Sequence, residues 1–295
     1  MVKGRTAATK PNKPAAAVEN KSSGAHSSSS TYNIKSAKTS KGKVSAPEGT
    51  PPTVPLYFKD TYLGMASAKV LGVVNTNDAK EGAMESMVIT DTTIFHPQGG
   101  GQPSDVGIIK CGDGDDPAIF TVHKVYKDLT GVILHVGSFK KGGKKFNVGD
   151  VVKQEINMET RKFHARLHSA GHLLDVAMNQ VGITLKPSKG YHFPKGAYVE
   201  YIGKLDLKDR AKIINELQQA IDKLVESKIQ TVVSYDGSTP PIRHVKVGSD
   251  ILGCPCGGTH VADSEEIGAM QITKIKSNKG NTRVSYTITP AIKCS

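Results

Sequence analysis

Residues 157–181, NMETRKFHARLHSAGHLLDVAMNQV, decide the fold, because the hydrophobic period of the chain changes here from strand-like to helical. Apolar residues in this stretch recur at spacings of three, four, four and three, which places them on one face of a helix. They are Leu167, Ala170, Leu174, Met178 and Val181. A second helix is predicted over residues 206–227, with Asp206 as its N-cap residue. Strand-like segments surround both helices, so residues 156–295 are predicted to form a two-layer α/β domain of α+β type.

The segment before the first helix is different, because its apolar residues come in short runs. Strand-sized runs such as Ser86–Ile89 and Ala118–Val125 are separated by clusters of glycine, aspartate and proline, for example Gly112–Asp115. Many short strands with frequent turns are typical of a small barrel or sandwich. We therefore predict a small N-terminal β-barrel domain over residues 55–155, which makes the chain α+β overall.

The first fifty residues carry much of the charge of this chain. The 295-residue protein has a formal net charge of +12, and this segment contributes +7 of it. The segment is rich in Ser, Ala, Lys and Pro, so it cannot bury enough apolar surface to offset its ordering entropy. We predict a disordered basic tail over residues 1–54. Its task stays open between a solvated extension, a non-specific contact to a polyanion such as RNA, and an organellar transit peptide.

Composition excludes several classes of protein. The chain has no apolar run of about 18 residues, so no transmembrane helix is expected. It has no charged start followed by an apolar stretch, so no secretory signal peptide is expected either. Its four cysteines are too few for a disulfide scaffold, and two of them stand near a histidine, which suggests metal binding. We expect a cytoplasmic protein without a membrane partner, with organellar targeting by the tail left open.

Two short motifs supply candidate metal ligands. His168 and His172 are four residues apart, so they lie on the same face of the predicted helix, one turn apart. Cys256 and His260 flank two glycines, and this flexible segment can close a thiolate and an imidazole on one ion. Three imidazoles and one thiolate match the preference of zinc for nitrogen and sulfur donors. The sequence therefore predicts one Zn²⁺ site, the alternative being ordinary core or surface side chains.

Two neighbours of these motifs are predicted to stay outside the ligand set. Cys254 lies two residues before Cys256, across a proline, and we interpret it as a neighbour without a metal role. A competing ligand is the alternative for this cysteine. His164 lies one turn before His168 and is predicted to be exposed or to support the ligands.

A third motif is the run FHPQGGGQP at residues 95–103. Three consecutive glycines let a backbone approach a ligand closely or adopt a positive φ. The sequence contains no Gly-x4-Gly-Lys-Ser/Thr phosphate-binding loop. The run is therefore either a ligand-approaching segment or a plain tight turn of the barrel.

Taken together, these motifs resemble a known family. HSAGHLL at residues 168–174 and CGGTHV at residues 256–261 resemble the paired signature of the alanyl-tRNA synthetase editing domain, the second additional domain of threonyl- and alanyl-tRNA synthetases. GGGQ at residues 99–102 looks like the glycine-rich stretch that precedes that domain. The resemblance covers roughly residues 56–290 and is closest to the free-standing AlaX proteins. The length is expected to leave no room for the ATP-using aminoacylation domain.

The resemblance implies a trans-editing hydrolase. Its substrate would be the acceptor end of alanine tRNA carrying serine or glycine, and water would attack the aminoacyl ester with the help of zinc. The physical logic agrees, because a pocket for alanine cannot reject the smaller glycine on size, so a second hydrolytic site is required. The family's metal ligands carry over to His168, His172, Cys256 and His260.

The resemblance also implies two catalytic residues. Gln102 matches a glutamine that the family places in its editing pocket, where the amide orients the substrate or the attacking water. Thr259, with the backbone N–H groups around Gly257 and Gly258, is a candidate to stabilise the oxyanion. The alternatives are a tRNA-binding or regulatory protein with a purely structural zinc, and a remnant of a complete synthetase. The oligomeric state stays open.

Overall fold

The computed structural model describes residues 45–75, 85–247 and 253–289. Positions 1–44 of the predicted disordered tail therefore lie outside the described residues. The end of that predicted segment is packed against the barrel: Thr53 is buried and its hydroxyl donates to the Thr90 carbonyl at 3.3 Å. The same hydroxyl accepts the Ile133 N–H at 3.0 Å. The packed part of the chain thus begins before Pro55.

Short strands precede the first helix. They are β1 (Val54–Pro55), β2 (Met65–Asn75), β3 (Ser86–Thr90), β4 (Thr92–Thr93), β5 (Gly107–Cys111), β6 (Ala118–Lys127), β7 (Ile133–Phe139) and β8 (Val151–Ile156). Six of them close an antiparallel barrel in the order β2-β3-β7-β6-β5-β8, which confirms the predicted barrel. The short strand β1 pairs in parallel with β4.

Strand β8 of the barrel alternates buried and exposed residues. In β8, Val152, Gln154 and Ile156 are buried while their neighbours are exposed, the period of two expected of a sheet with one covered face. Gln154 is the polar member of this set, and its amide bonds the Ile94 N–H at 3.0 Å and the Thr90 hydroxyl at 3.2 Å. These bonds satisfy a polar group that would otherwise destabilise the apolar interior.

The elements from residue 158 onward combine two helices with strands. They are α1 (Met158–Gln180), β9 (Pro187–Tyr191), β10 (Tyr198–Tyr201), α2 (Arg210–Glu226), β11 (Thr231–Tyr235), β12 (Arg243–Val247), β13 (Cys254–Pro255), β14 (Met270–Asn278) and β15 (Asn281–Ile288). One antiparallel sheet has the order β14-β15-β10-β9, and a smaller one has the order β11-β12-β13. Both helices and the larger sheet share one hydrophobic core. The fold is α+β as predicted, while the two-layer arrangement and the boundaries at 54/55 and 155/156 stay predictions.

The helix boundaries follow capping chemistry. The side chain of Asn157 accepts the Thr160 N–H at 2.9 Å, so α1 begins where the period change predicted it. The predicted cap of the second helix was wrong: Asp209, not Asp206, accepts the Lys212 N–H, at 3.3 Å. Asp206 instead accepts a backbone N–H two residues on, within the preceding turn. Neither helix of the described ranges is both long and apolar enough to cross a lipid bilayer.

A buried ion pair joins α1 to the barrel. The Arg161 guanidinium donates through Nε to both carboxylate oxygens of Asp105 at 3.0 Å, and both side chains are almost fully buried. Its Nη1 donates to the Thr61 carbonyl at 3.0 Å, and Nη2 contacts Asp105 and the Ile94 carbonyl. The first turn of α1 is therefore fixed against the barrel through Asp105, which lies three residues after Gln102.

Candidate functional site

Helix α1 presents two histidines to the interior of the protein. His168 and His172 lie one turn apart, and their ring centroids are 5.1 Å apart. His168 is buried, whereas His172 is partly exposed. Two imidazoles in this arrangement can bind the same ion, as the four-residue spacing predicted.

The chain returns to these histidines after β13. Cys256 Sγ lies 3.5 Å from His168 Nε2 and 3.2 Å from His260 Nε2. The His260 ring is 4.5 Å from that of His168 and 4.7 Å from that of His172. One donor atom from each of the four residues lies within 4.8 Å of every other, so the structure brings the predicted ligand set together.

A hydrogen bond fixes which nitrogen His168 offers. His168 Nδ1 lies 2.8 Å from Gln102 Oε1, and His260 Nδ1 lies 3.1 Å from Ser169 Oγ. The carbonyl oxygen of Gln102 can only accept, so the proton of neutral His168 is on Nδ1 and the lone pair is on Nε2. The free Nε2 of His168 therefore faces the Cys256 sulfur. This is how an outer hydrogen bond orients a metal ligand.

The environment keeps these imidazoles neutral. Burial lowers the pKa of His172 to about 4, and it lowers the pKa of His168 and His260 well below the ordinary value. Burial also raises the pKa of the Cys256 thiol, against the Gly258 N–H and the charge of Arg243, which lower it. A cation bound here would replace the thiol proton, because metal binding requires a thiolate and neutral imidazoles.

Gln102 comes from the barrel part of the chain and reaches the part of the site that holds the four clustered donors, referred to as the metal half. Gly99 and Gln102 exchange backbone hydrogen bonds of 3.1 and 2.9 Å, with positive φ at Gly100 and Gly101, so the run is a tight turn. The turn directs the fully buried Gln102 side chain at His168 and at Thr259, whose N–H it accepts at 3.0 Å. The tight turn is therefore present, and the approach of this segment to a ligand stays a prediction.

Thr259 is bound to Gln102 by two hydrogen bonds. Besides donating its N–H, it accepts the Gln102 Nε2–H on Oγ1 at 2.8 Å, and it is fully buried. The Gly258 N–H points at Cys256 Sγ at 3.4 Å. Both of these N–H groups have partners, so the hydroxyl proton of Thr259 is the donor that this residue retains.

Cys254 and His164 lie next to the four clustered donors, and the absence of a metal role for Cys254 stays a prediction. Cys254 is exposed, and its Sγ lies 3.5 Å from His172 Nδ1, outside the four-residue cluster. His164 is buried, with no hydrogen-bond partner for Nδ1 within the described residues, so the alternative of an exposed side chain was wrong, while a supporting role stays a prediction. Burial lowers the pKa of His164, and the charge of Asp105, which precedes β5 of the barrel, acts in the opposite direction.

Three residues of the site were missed by sequence reasoning. Ser169 Oγ contacts His260 Nδ1 and accepts the Val261 N–H at 3.1 Å. Arg243 donates through Nη1 to the carbonyls of Cys256 and Gly258, at 2.7 and 3.1 Å. His192 stacks on His168 with ring centroids 4.5 Å apart and an interplanar angle of 19°. Ser169 stands inside the histidine motif, whereas the other two carry no spacing signal.

The donor chemistry of the cluster and its two sulfur–nitrogen distances are compatible with a zinc ion. Four donors at zinc bond lengths in a tetrahedron stand about 3.3–3.8 Å apart. The two sulfur–nitrogen distances at Cys256, 3.5 and 3.2 Å, are close to that range. Three imidazoles and a thiol are also the donor types that zinc prefers.

Known proteins resemble this chain over both parts. The family described as threonyl and alanyl tRNA synthetase second additional domain matches residues 242–285, and the class II (A) tRNA synthetases match residues 7–160. The alanyl-tRNA editing protein AlaX-M of Pyrococcus horikoshii is 33% identical over 234 residues, which cover 78% of this chain and 94% of that protein.

The chain belongs to the AlaX family of alanyl-tRNA editing proteins. AlaX-L of the same organism is 32% identical over 245 residues, 79% of this chain, and the chain spans 57% of that family member. An alanine–tRNA ligase of Caldivirga maquilingensis is 30% identical over 267 residues, which are 80% of this chain but 27% of the ligase. The resemblance to the AlaX family is thereby confirmed.

Proposed function

We propose that this protein is a trans-editing hydrolase that removes serine or glycine from the acceptor end of mischarged alanine tRNA. Its relatives AlaX-M and AlaX-L are alanyl-tRNA editing proteins. Hydrolysis adds water across the aminoacyl ester: the bond from the carbonyl carbon to the ribose oxygen breaks, the amino acid leaves as a free acid, and the ribose hydroxyl regains a proton.

One observation carries the proposal. Gln102, a residue of the barrel, makes its hydrogen bonds to His168 and Thr259, which lie in the two motifs of the metal half. A structural zinc would need Gln102 only as the acceptor for His168 Nδ1, whereas the amide also makes two hydrogen bonds to Thr259, the proposed oxyanion donor. We assign Gln102 the role of holding His168 and Thr259 in place for the substrate.

The ion proposed for the site is Zn²⁺, held by the four clustered donors given above. When bound, it would supply positive charge that polarises an ester carbonyl or acidifies a water molecule. Thr259 would offer its hydroxyl to the developing oxyanion. Arg243 contributes a fixed positive charge, which acts on the pKa of His172, Cys256 and His260 in the direction that favours negative charge there.

Substrate access is proposed from the side of Cys254. This residue is exposed and His172 and Cys256 are partly exposed, whereas His168, His260 and Gln102 are buried. The partly exposed side of the cluster is therefore the proposed entry for the tRNA end, while the buried side carries the hydrogen bonds that orient the ligands.

A purely structural zinc is the second candidate, because four protein donors already complete the shell that zinc prefers. Incubating the full chain with alanine tRNA carrying serine, glycine or alanine separates the two. The hydrolase releases free serine or glycine and spares alanine, and a Cys256→Ala/His260→Ala variant releases neither. Binding of the tRNA without release of any amino acid would favour the structural candidate.

A further inference from the structure

His192 stacks on the ring of the proposed metal ligand His168. Its ring is almost parallel to that of His168, at 4.5 Å between centroids, and the residue is 4% exposed. It is not a member of the four-donor cluster. It follows β9 and comes from a different part of the chain than either ligand motif.

The ring is anchored at its far edge. His192 Nδ1 lies 2.6 Å from the Tyr286 hydroxyl, and that hydroxyl donates to the Leu167 carbonyl at 2.9 Å. The single hydroxyl proton goes to the carbonyl, so Nδ1 of His192 carries the proton that it shares with the tyrosine oxygen. Leu167 immediately precedes His168, so the chain of contacts returns to the ligand.

The backbone of His192 is anchored as well. Its N–H donates to the Gly101 carbonyl at 2.8 Å, and Gly101 precedes Gln102, which bonds Nδ1 of His168. A closed circuit of contacts therefore runs from His168 through Gln102 and Gly101 to His192, and back through Tyr286.

Glycines make the space that this ring occupies. A Cβ on Gly171 of α1 would lie 2.3 Å from His192 Cε1, and one on Gly190 of β9 would lie 2.2 Å from Nε2. Neither glycine has a positive φ, so the backbone conformation does not require glycine there. The space for the imidazole does, because no atom can be accommodated at such distances.

We propose that His192 is a positioning residue, whose ring fixes the plane of the His168 imidazole and so the direction of its Nε2 lone pair. This inference rests on the proposed metal centre. Rotation of the His168 ring is blocked on one face by His192, while Gln102 holds Nδ1 in the plane. The loss of His192 would leave the ligand set complete, but the plane of the His168 ring would then be restrained by the Gln102 hydrogen bond without the stacked ring.

The test uses the full chain loaded with Co²⁺, whose visible absorption reports the geometry of the ligands, alongside zinc affinity by competition with a chelating dye. His192→Ala should change the cobalt spectrum and weaken zinc binding on the order of 10-fold. His192→Asn retains a group that can bond the Tyr286 hydroxyl but has no ring, so it should behave like His192→Ala. His123→Gln, which alters an exposed barrel histidine, is the matched control.

A double variant separates positioning from general damage. Gly171→Ala alone should disturb the spectrum, because its Cβ displaces the His192 ring, whereas adding it to His192→Ala should change little further. Gly114→Ala, at a position with no atom near the added Cβ, is the control glycine. With zinc saturating, His192→Ala should lower kcat for deacylation and leave KM unchanged, because the buried ring does not face the tRNA.

The outcomes distinguish two failures. A wild-type chain that binds neither cobalt nor zinc overturns the metal centre and this inference with it. A wild-type chain that binds cobalt, with an unchanged spectrum in His192→Ala or a wild-type spectrum in His192→Asn, overturns the inference alone. A spectrum that changes as expected in a protein without deacylase activity overturns the proposed hydrolase and supports the positioning role.

Discussion

Replacing Gln102 by methionine should remove hydrogen bonds from the site while all four candidate metal ligands remain. The amide is fully buried and accepts two hydrogen bonds on Oε1, from His168 Nδ1 at 2.8 Å and from the Thr259 N–H at 3.0 Å. Methionine has nearly the same length and volume but offers neither donor a comparable acceptor. Gln102→Met therefore leaves two buried N–H groups without a partner.

The expected magnitude follows from that count. A buried donor without a partner costs about 1–3 kcal/mol, so two cost roughly 2–6 kcal/mol, divided between folding and the orientation of His168. Loss of the outer partner of a metal-bound histidine typically reduces metal affinity or activity by about 10–100-fold. We therefore expect Gln102→Met to unfold at a lower urea concentration and to deacylate seryl-tRNA(Ala) at least about 10-fold more slowly.

Gln102→Glu is the matched control. It keeps an acceptor for His168 and Thr259, and the Thr259 hydroxyl can rotate to donate to its second oxygen. Zinc content should therefore stay at one ion per chain. The measurements are zinc affinity, urea unfolding, and release of serine in a single turnover. A Gln102→Met variant with wild-type zinc affinity and a wild-type rate of serine release would refute the reasoning, because the amide would then contribute to neither.

Three further predictions follow from the ligands, the barrel and the tail. Elemental analysis should find one zinc per chain, lost in Cys256→Ala/His260→Ala and kept in Cys111→Ala; a full metal content in the double variant would contradict the ligand set. Burial lowers the pKa of His135 to about 4 from 6.5. Between these two pH values the unfolded chain binds a proton at this histidine that the folded chain does not bind. The free energy of unfolding therefore decreases by roughly 3 kcal/mol as the pH falls from 6.5 towards 4. Urea unfolding of His135→Gln should therefore depend less on pH in that window than unfolding of the wild type. Deleting residues 1–44, which hold nine basic residues and one acidic one, should weaken tRNA binding most at low salt and flatten its salt dependence without changing the preference for serine over alanine; an unchanged salt slope would show that the tail does not contact the RNA.

The sequence predicts the parts of the fold that repeat a pattern. The change of period at Asn157 places α1, and the short runs before it place the barrel strands, because both signals extend over many residues. The start of α2 was missed because Asp206 and Asp209 are both competent caps, and local composition does not choose between them. His164 was misjudged because the helix pattern does not show that the barrel also covers α1.

The residues of the candidate site likewise fall into those that a sequence pattern predicts and those that only the folded chain shows. The four clustered donors stand in two compact motifs, so spacing and donor chemistry predict them as candidate ligands, and the resemblance adds Gln102. His192 and Arg243 stand alone on separate strands or their ends, and only the folded chain brings them to the metal half. Their contacts are with backbone carbonyls and ring faces, which impose no pattern on the residues around them.

The buried pair of Arg161 and Asp105 limits how the barrel and the rest of the chain can be separated or recombined. A break at 155/156 would separate the guanidinium from its carboxylate, leaving a charge in an apolar seam, which is strongly destabilising. The same break would remove Gln102 from His168. Exchange of the barrel between family members should therefore succeed only when the donor barrel supplies an acid at position 105 and an amide at position 102; otherwise the two halves must be transferred together.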